Sequence, residues 1–130
     1  MKVLNIITGL NKGGAENNLY KLNVVANDKN IWNFSLSGFN YYGELLIKNK
    51  SNVVAFNLFD NPFKIISLIR EIYKINPDVI QAWMYHSIFL TFFLKFFFFK
   101  TKFFWNLRAT FDPSKQKLFN RVFIKISIIF

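Results

Sequence analysis

The stretch that most restricts this chain is Thr8-Gly9-Leu10-Asn11-Lys12-Gly13-Gly14-Ala15-Glu16, because it has to be a corner. Before it, Val3 to Ile7 is a β-branched and apolar run of buried-strand type. After it, Ala15, Leu19, Leu22 and Ala26 recur at helical spacing. The corner therefore joins a first strand to a first helix, with glycines where that helix begins. Gly13 and Gly14 carry no side chain to block a ligand, and a helix start offers unpaired N–H groups and a partial positive charge. That combination suits a phosphate or pyrophosphate. Glycine also serves where a strand simply turns tightly into a helix, and spacing alone leaves both readings standing.

The same spacing excludes two chemistries. A dinucleotide fingerprint needs G-x-G-x-x-G, whereas this loop has Gly9, Gly13 and Gly14. The second strand closes with Ser35-Leu36-Ser37-Gly38 instead of the acid that would hold a ribose. No Walker lysine follows the glycines. Neither a nicotinamide site nor an NTPase phosphate loop is supported.

The remaining chain alternates strand and helix. Ile31 to Ser37 reads as a second strand, Gly43 to Lys50 as a short helix and Val53 to Asn57 as a third strand. Asn61-Pro62 is a helix start, a capping side chain followed by proline at the first helical position. Ile65, Ile66, Ile69, Ile72 and Tyr73 follow as an apolar stripe that ends before Asn76-Pro77. Asp78 to Trp83 and Lys102 to Leu107 read as strands four and five, and Asp112-Pro113 caps a final helix with Phe119, Val122, Ile126 and Ile129. The expectation is one α/β domain, a three-layer sandwich around a mainly parallel sheet of about five strands with right-handed crossovers. In such sheets ligands collect beyond the carboxyl ends of the strands. The glycine loop, Tyr41-Tyr42-Gly43, Trp83-Met84-Tyr85-His86-Ser87 and Arg108-Ala109-Thr110 all fall at that edge.

Composition matters at two points. The net charge of +10 calls for an anionic partner or a membrane face. Its lysines are scattered instead of being clustered among aromatics, which disfavours nucleic acid and leaves anionic lipid as the better target. The segment Ser87 to Phe99 is rich in phenylalanine and runs about 13 residues, short of the roughly 20 that span a bilayer as a helix. It reads first as a buried helix between the fourth and fifth strands, and second as a face lying on a membrane with Lys95, Lys100 and Lys102 at the headgroups. There is no cysteine, hence no disulfide framework and no thiolate metal site. Met1-Lys2-Val3 enters a strand at once, with no charged-then-apolar leader, so a cytoplasmic location is the default expectation.

Four segments resemble family 4 glycosyltransferases. Lys2 to Leu19, with Gly13-Gly14-Ala15-Glu16 followed closely by Leu19, is similar to the opening of those enzymes. Tyr41-Tyr42-Gly43-Glu44-Leu45-Leu46 resembles the segment after their second strand. Pro77 to Ser87 and Trp105-Asn106-Leu107-Arg108-Ala109-Thr110 resemble the fourth-strand loop and the W-x-x-R-x-[ST] turn of a capsule and lipopolysaccharide-type subgroup. The resemblance implies the GT-B architecture, two Rossmann-like domains with the active site between them. This chain resembles only the N-terminal, acceptor-side domain. It ends in apolar Ile126 to Phe130 without a second unit, so a separate C-terminal domain is expected to supply most of the donor site.

By that resemblance the chemistry is retaining transfer from a nucleotide sugar to a saccharide or lipid-linked acceptor in cell-surface polysaccharide synthesis, at the inner face of the cytoplasmic membrane. No metal or other cofactor is expected, and the sequence has no Asp-x-Asp pair or histidine cluster. Gly13 and Gly14 would approach the donor phosphate or transferred sugar. Glu16 would either cap the helix or hydrogen-bond in the site. His86 corresponds to the family's histidine near the reacting sugar. A lone histidine is more often structural, but its place beside Trp83 and Tyr85 at a strand's carboxyl end favours the site. Tyr42, Trp83, Tyr85 and Arg108 belong to the acceptor side; Arg108 would pair with a substrate phosphate or carboxylate, or with Asp112. Asn17 stands where the family often has a basic residue. Two other readings share the fold: a non-catalytic remnant, and a basic module that binds membrane surfaces.

Overall fold

A computed structural model describes residues 1–106. The five strands form one sheet in the order β3-β2-β1-β4-β5: β1 (Val3–Ile7), β2 (Ile31–Ser35), β3 (Asn52–Ala55), β4 (Val79–Trp83) and β5 (Lys102–Asn106). Every neighbouring pair is parallel, and Asn5 lies level with Asn33 on one side and Gln81 on the other. The central β1 is buried on both faces, which is why Val3 to Ile7 reads as a nearly continuous apolar run.

The two faces have separate cores. Leu4, Ile6, Phe34, Leu36 and Ile80 pack under α3 (Ile65–Ile75) and α4 (Tyr85–Leu94) through Leu68, Ile72 and Leu94. Ile7, Leu10 and Trp83 pack under α1 (Gly14–Ala26) and α2 (Asn40–Lys48) through Leu19 and Leu46. The expected Rossmann-like three-layer arrangement is therefore present. Strand order runs outward from β1 to β2 and β3, then resumes on its other side with β4 and β5. This reversal separates the loops after β1 and β4 and opens a crevice at their carboxyl ends.

Asparagine takes over the conformations usually left to glycine. Asn27 and Asn76, which end α1 and α3, both have positive φ, as do Asn40 and Asn57, and no described glycine does. Asn61 Oδ1 accepts from the Phe63 N–H at 3.2 Å, as the Asn61-Pro62 signal predicts, although Pro62–Lys64 forms a single 3₁₀ turn before α3 begins. Boundaries shift elsewhere. The second helix starts at Asn40, not Gly43, because the Gly43 N–H already bonds back to the Phe39 carbonyl at 2.8 Å. The third strand is Asn52–Ala55 instead of Val53 to Asn57.

The phenylalanine-rich segment is buried on one side only. Ser87, Ile88, Thr91 and Leu94 face the sheet, and the helix ends at Leu94 instead of continuing to Phe99. Phe93, Phe96, Phe97 and Phe99 are exposed. No helix among the described residues is long and apolar enough to cross a membrane. The expected final helix after Asp112-Pro113 lies outside the described residues.

Candidate functional site

A cleft of about 330 Å³ opens at the β1–β4 reversal. Thr8, Gly9 and Asn11 contribute from the loop after β1, Ser37 from the loop after β2, Phe59 from the segment after β3, and Met84 from the end of β4. Glu16, in the first turn of α1, completes the lining. The loops are tied together: the Ser37 N–H donates to the Thr8 carbonyl at 3.1 Å, and Ser87 Oγ lies 3.4 Å from Thr8 Oγ1. Gly9 lets the two loops lie close, since a Cβ there would stand 2.7 Å from Ser37 Oγ and make that hydroxyl shift. Met84 has φ 71° and ψ 165°, a region nearly reserved for glycine, and stores about 1–3 kcal/mol of backbone strain beside the cleft.

The two glycines of the corner differ. Gly14 is open, with nothing within 4 Å of where a Cβ would sit. At Gly13 the corresponding space is filled by the Glu16 carboxylate, so the bare backbone expected there is covered. Gly13 is extended (φ −169°), and its missing side chain makes room for Glu16 instead of permitting an unusual turn. Glu16 is 4 % exposed, and its Oε1, sealed from solvent, has no hydrogen-bond partner among the described residues. Burial pushes its carboxyl above the usual carboxylate range, opposed by a hydrogen bond from its own backbone N–H.

His86 lies in the first turn of α4, not in a loop, and is exposed. Its ring meets Phe59 edge-on at 5.7 Å, so it stands behind the cleft's aromatic wall instead of lining the cavity. Tyr85 is half-buried at the start of α4. The expected acceptor-facing Trp83 turns inward: it is buried, and its Nε1 donates to Asn5 Oδ1 at 3.1 Å. Tyr42 is half-buried between Tyr20 and Tyr41, whose ring centroids lie 5.9 and 4.9 Å away. Lys12 Nζ sits 4.6 Å above the Tyr41 ring at the rim of the first loop. Arg108 lies outside the described residues.

Sequence reasoning brought the Thr8 to Glu16 corner and the Trp83 to Ser87 segment to this edge and singled out Glu16, but it did not single out Thr8, Asn11 or Met84 and passed over Ser37 and Phe59. The signal for Thr8, Ser37 and Met84 was available, since each follows the last residue of a strand within two positions. Phe59 had no such mark. A buried amide network was also missed. Asn5 Nδ2 donates to Asn33 Oδ1 at 3.2 Å, Asn33 and Asn23 bond reciprocally at 2.8 and 3.0 Å, and Asn33 Nδ2 reaches the Asn52 carbonyl at 3.0 Å. With Trp83 on Asn5, it ties β4, β1, β2 and α1 together. The lining thus offers hydroxyls, an amide, a carboxyl and an aromatic face. Among the described residues no cluster of His, Asp or Glu is arranged to hold a metal ion.

The fold has a solved counterpart. The chain superposes on the crystal structure of Anabaena Alr3699/HepE in complex with UDP, with TM-score 0.80 and 18% identity. The match covers 100% of this chain and 36% of that one, so this chain spans about a third of the length of the UDP-bound protein. No family model and no curated protein matches the sequence.

Proposed function

We propose that this chain is the N-terminal, acceptor-side domain of a retaining GT-B glycosyltransferase, acting with a donor-binding C-terminal domain. One observation carries the reading: the cleft opens beside the glycine corner, at the strand-order reversal of a fold shared with part of a UDP-bound protein. The four motif segments support the family. In this reading a nucleotide sugar bound mainly by the C-terminal domain presents its sugar to the loop at Gly9 and Gly14. A hydroxyl of a saccharide or lipid-linked acceptor then takes the sugar with retention of configuration, and the nucleoside diphosphate departs. His86, at the sheet edge behind Phe59, serves near the reacting sugar. The departing charge falls to basic groups of the C-terminal domain, with no metal or other cofactor required.

A second feature favours a membrane-surface setting for the acceptor. Phe96 and Phe99 are 65% and 86% exposed, and Lys95, Lys100 and Lys102 flank them in sequence on a chain of net charge +10. Such a face suits the interface of an anionic bilayer. The test of the function is transfer of labelled sugar from nucleotide sugars to a lipid extract by the chain together with a C-terminal donor domain. Transfer that requires both parts is expected; transfer by the C-terminal part alone overturns the assignment.

A further inference from the structure

The lysines that lie scattered along the sequence are gathered by the fold. All neighbouring strands are parallel, so every connection that enters a strand arrives at one edge of the sheet, opposite the cleft. Each strand is entered past at least one exposed lysine: Lys2 before β1, Lys29 before β2, Lys50 before β3, Lys74 in the last turn of α3 before β4, and Lys100 before β5. Lys48 ends α2 and Lys102 opens β5 at the same edge. Of the carboxylates among them, Glu71 pairs with Lys74 at 3.4 Å, Asp78 accepts from the Lys2 backbone N–H at 2.8 Å, and Asp28 accepts from the Asn30 N–H at 2.9 Å. At the cleft edge, where connections leave the strands, the described lysines are Lys12 and Lys64, set against Glu16 and Asp60. A lysine at a helix end complements the helix dipole, which accounts for Lys48 and Lys74. It does not account for Lys29, Lys100 or Lys102, which lie outside the helices.

We infer that this amino-terminal edge of the sheet is a docking face for an anionic bilayer, which holds the cleft on the side away from the lipid. The inference extends the membrane setting proposed above from one segment to a whole edge, and it stands apart from the glycosyltransferase reading. The connection between α4 and β5 supplies the apolar part: Phe96, Phe97 and Phe99 are 65%, 54% and 86% exposed. Tyr73 joins them, with its ring 4.6 Å from Phe98 and its hydroxyl 3.5 Å from the Phe97 carbonyl. A bilayer interface takes both features, rings at the boundary of headgroup and acyl chain and lysines at anionic headgroups. A nucleic-acid strand is the poorer fit, because its binders spread stacking aromatics along the basic track. Here the exposed phenylalanines crowd into one connection, while the lysines continue past β4, β1, β2 and β3. Insertion at one point with charge contact over the rest suits a flat anionic surface. Five-residue strands place the cleft about 17 Å from that surface.

The experiment is sedimentation of the full chain with vesicles of mixed phosphatidylglycerol and phosphatidylcholine. Lys29→Gln with Lys50→Gln removes two charges on the far side of the sheet from the phenylalanines, and is expected to weaken binding at least about tenfold. Lys12→Gln with Lys64→Gln removes the same charge at the cleft edge and is expected to leave binding within about twofold. Equal loss in the two double variants, or no loss in the first, overturns the edge. If Phe96→Ser with Phe99→Ser alone loses binding, the phenylalanine segment stays a membrane contact and the edge still falls. Should either lysine variant fail to fold, hydrogen exchange of the parent with and without vesicles decides. Protection is expected at residues 27–30, 48–51 and 96–101; protection at 8–14 and 37–39 instead overturns the orientation. A single-stranded oligonucleotide that binds the parent more tightly than the vesicles do, and weakens in the Lys29 and Lys50 variant, overturns the choice of lipid. None of these readouts involves sugar transfer, so failure here and failure of the glycosyltransferase reading are separate results.

Discussion

Replacing Asn33 with alanine tests how much the buried amide network contributes to holding α1 and the strands together. Asn33 is fully buried and takes part in four hydrogen bonds, two accepted by Oδ1 and two donated by Nδ2. Asn23 Nδ2 keeps a second partner, the Leu19 carbonyl at 2.8 Å, so it is not stranded by the change. Asn23 Oδ1 and Asn5 Nδ2 are left without those bonds in a buried setting. At about 0.5–1.5 kcal/mol net per bond, and about 1–3 kcal/mol for a buried polar group left unmade, the loss should come to roughly 3–5 kcal/mol. Against a typical domain stability of about 5–15 kcal/mol this is a large fraction. Urea unfolding followed by far-ultraviolet circular dichroism measures it, with an unchanged slope showing that the same surface unfolds. Asn23→Leu combined with Asn33→Leu should lose less than the sum of the two single changes, because both partners are then apolar and similar in shape. A loss below about 1 kcal/mol for Asn33→Ala, or strict additivity of the leucine pair, would refute the reasoning.

His86→Ala in a complete two-domain enzyme should lower turnover about a hundredfold, as for acid–base or positioning groups; turnover within twofold of the parent removes His86 from the site. Stability of the parent relative to Glu16→Gln should fall as pH rises through a window beginning at the ordinary glutamate value and extending upward. The sign follows because a raised carboxyl pKa means the folded state holds more protons than the unfolded one there, so raising pH favours unfolding; a difference that grows with pH instead would be contrary. Phe96→Ser with Phe99→Ser should weaken sedimentation with phosphatidylglycerol vesicles at least tenfold while leaving stability within about 0.5 kcal/mol, since both side chains are exposed. Parent binding that ignores salt, or that is equal on phosphatidylcholine vesicles, would contradict an anionic-surface contact.

The alternation of strands and helices was legible because hydrophobic runs and their terminators agree. Apart from Asn5, Val3 to Ile7 is apolar on both faces, and both sheet faces are in fact covered. Asn61-Pro62 and Asn76-Pro77 bracket α3 as their backbone chemistry requires. Ser87 to Phe99 was harder, because periodicity cannot separate a buried helix from an exposed apolar one when nearly every position is apolar. Only packing decides that Ser87, Ile88, Thr91 and Leu94 face inward while Phe96 and Phe99 do not. The polar Ser87 and Thr91 on the buried stripe work against any hydropathy rule. The Thr91 hydroxyl bonds back to the Ile88 carbonyl within its own helix, whereas the Ser87 hydroxyl meets Thr8, a partner that no local pattern reveals.

The site was legible as a place more than as a set of side chains. Strand ends and a glycine corner fix where a crevice opens, since parallel order and its reversal follow from chain connectivity. Which side chains enter that crevice depends on rotations about single residues. Trp83 belongs to β4 and turns into the core because its register beside Ile7 places it under α1, where Asn5 receives its N–H. Met84, one residue later, takes a strained backbone and faces the cleft. Gly13 and Glu16 show the same dependence. Three positions apart at the start of the helix, they share one volume: the Glu16 carboxylate lies where a side chain on Gly13 would stand.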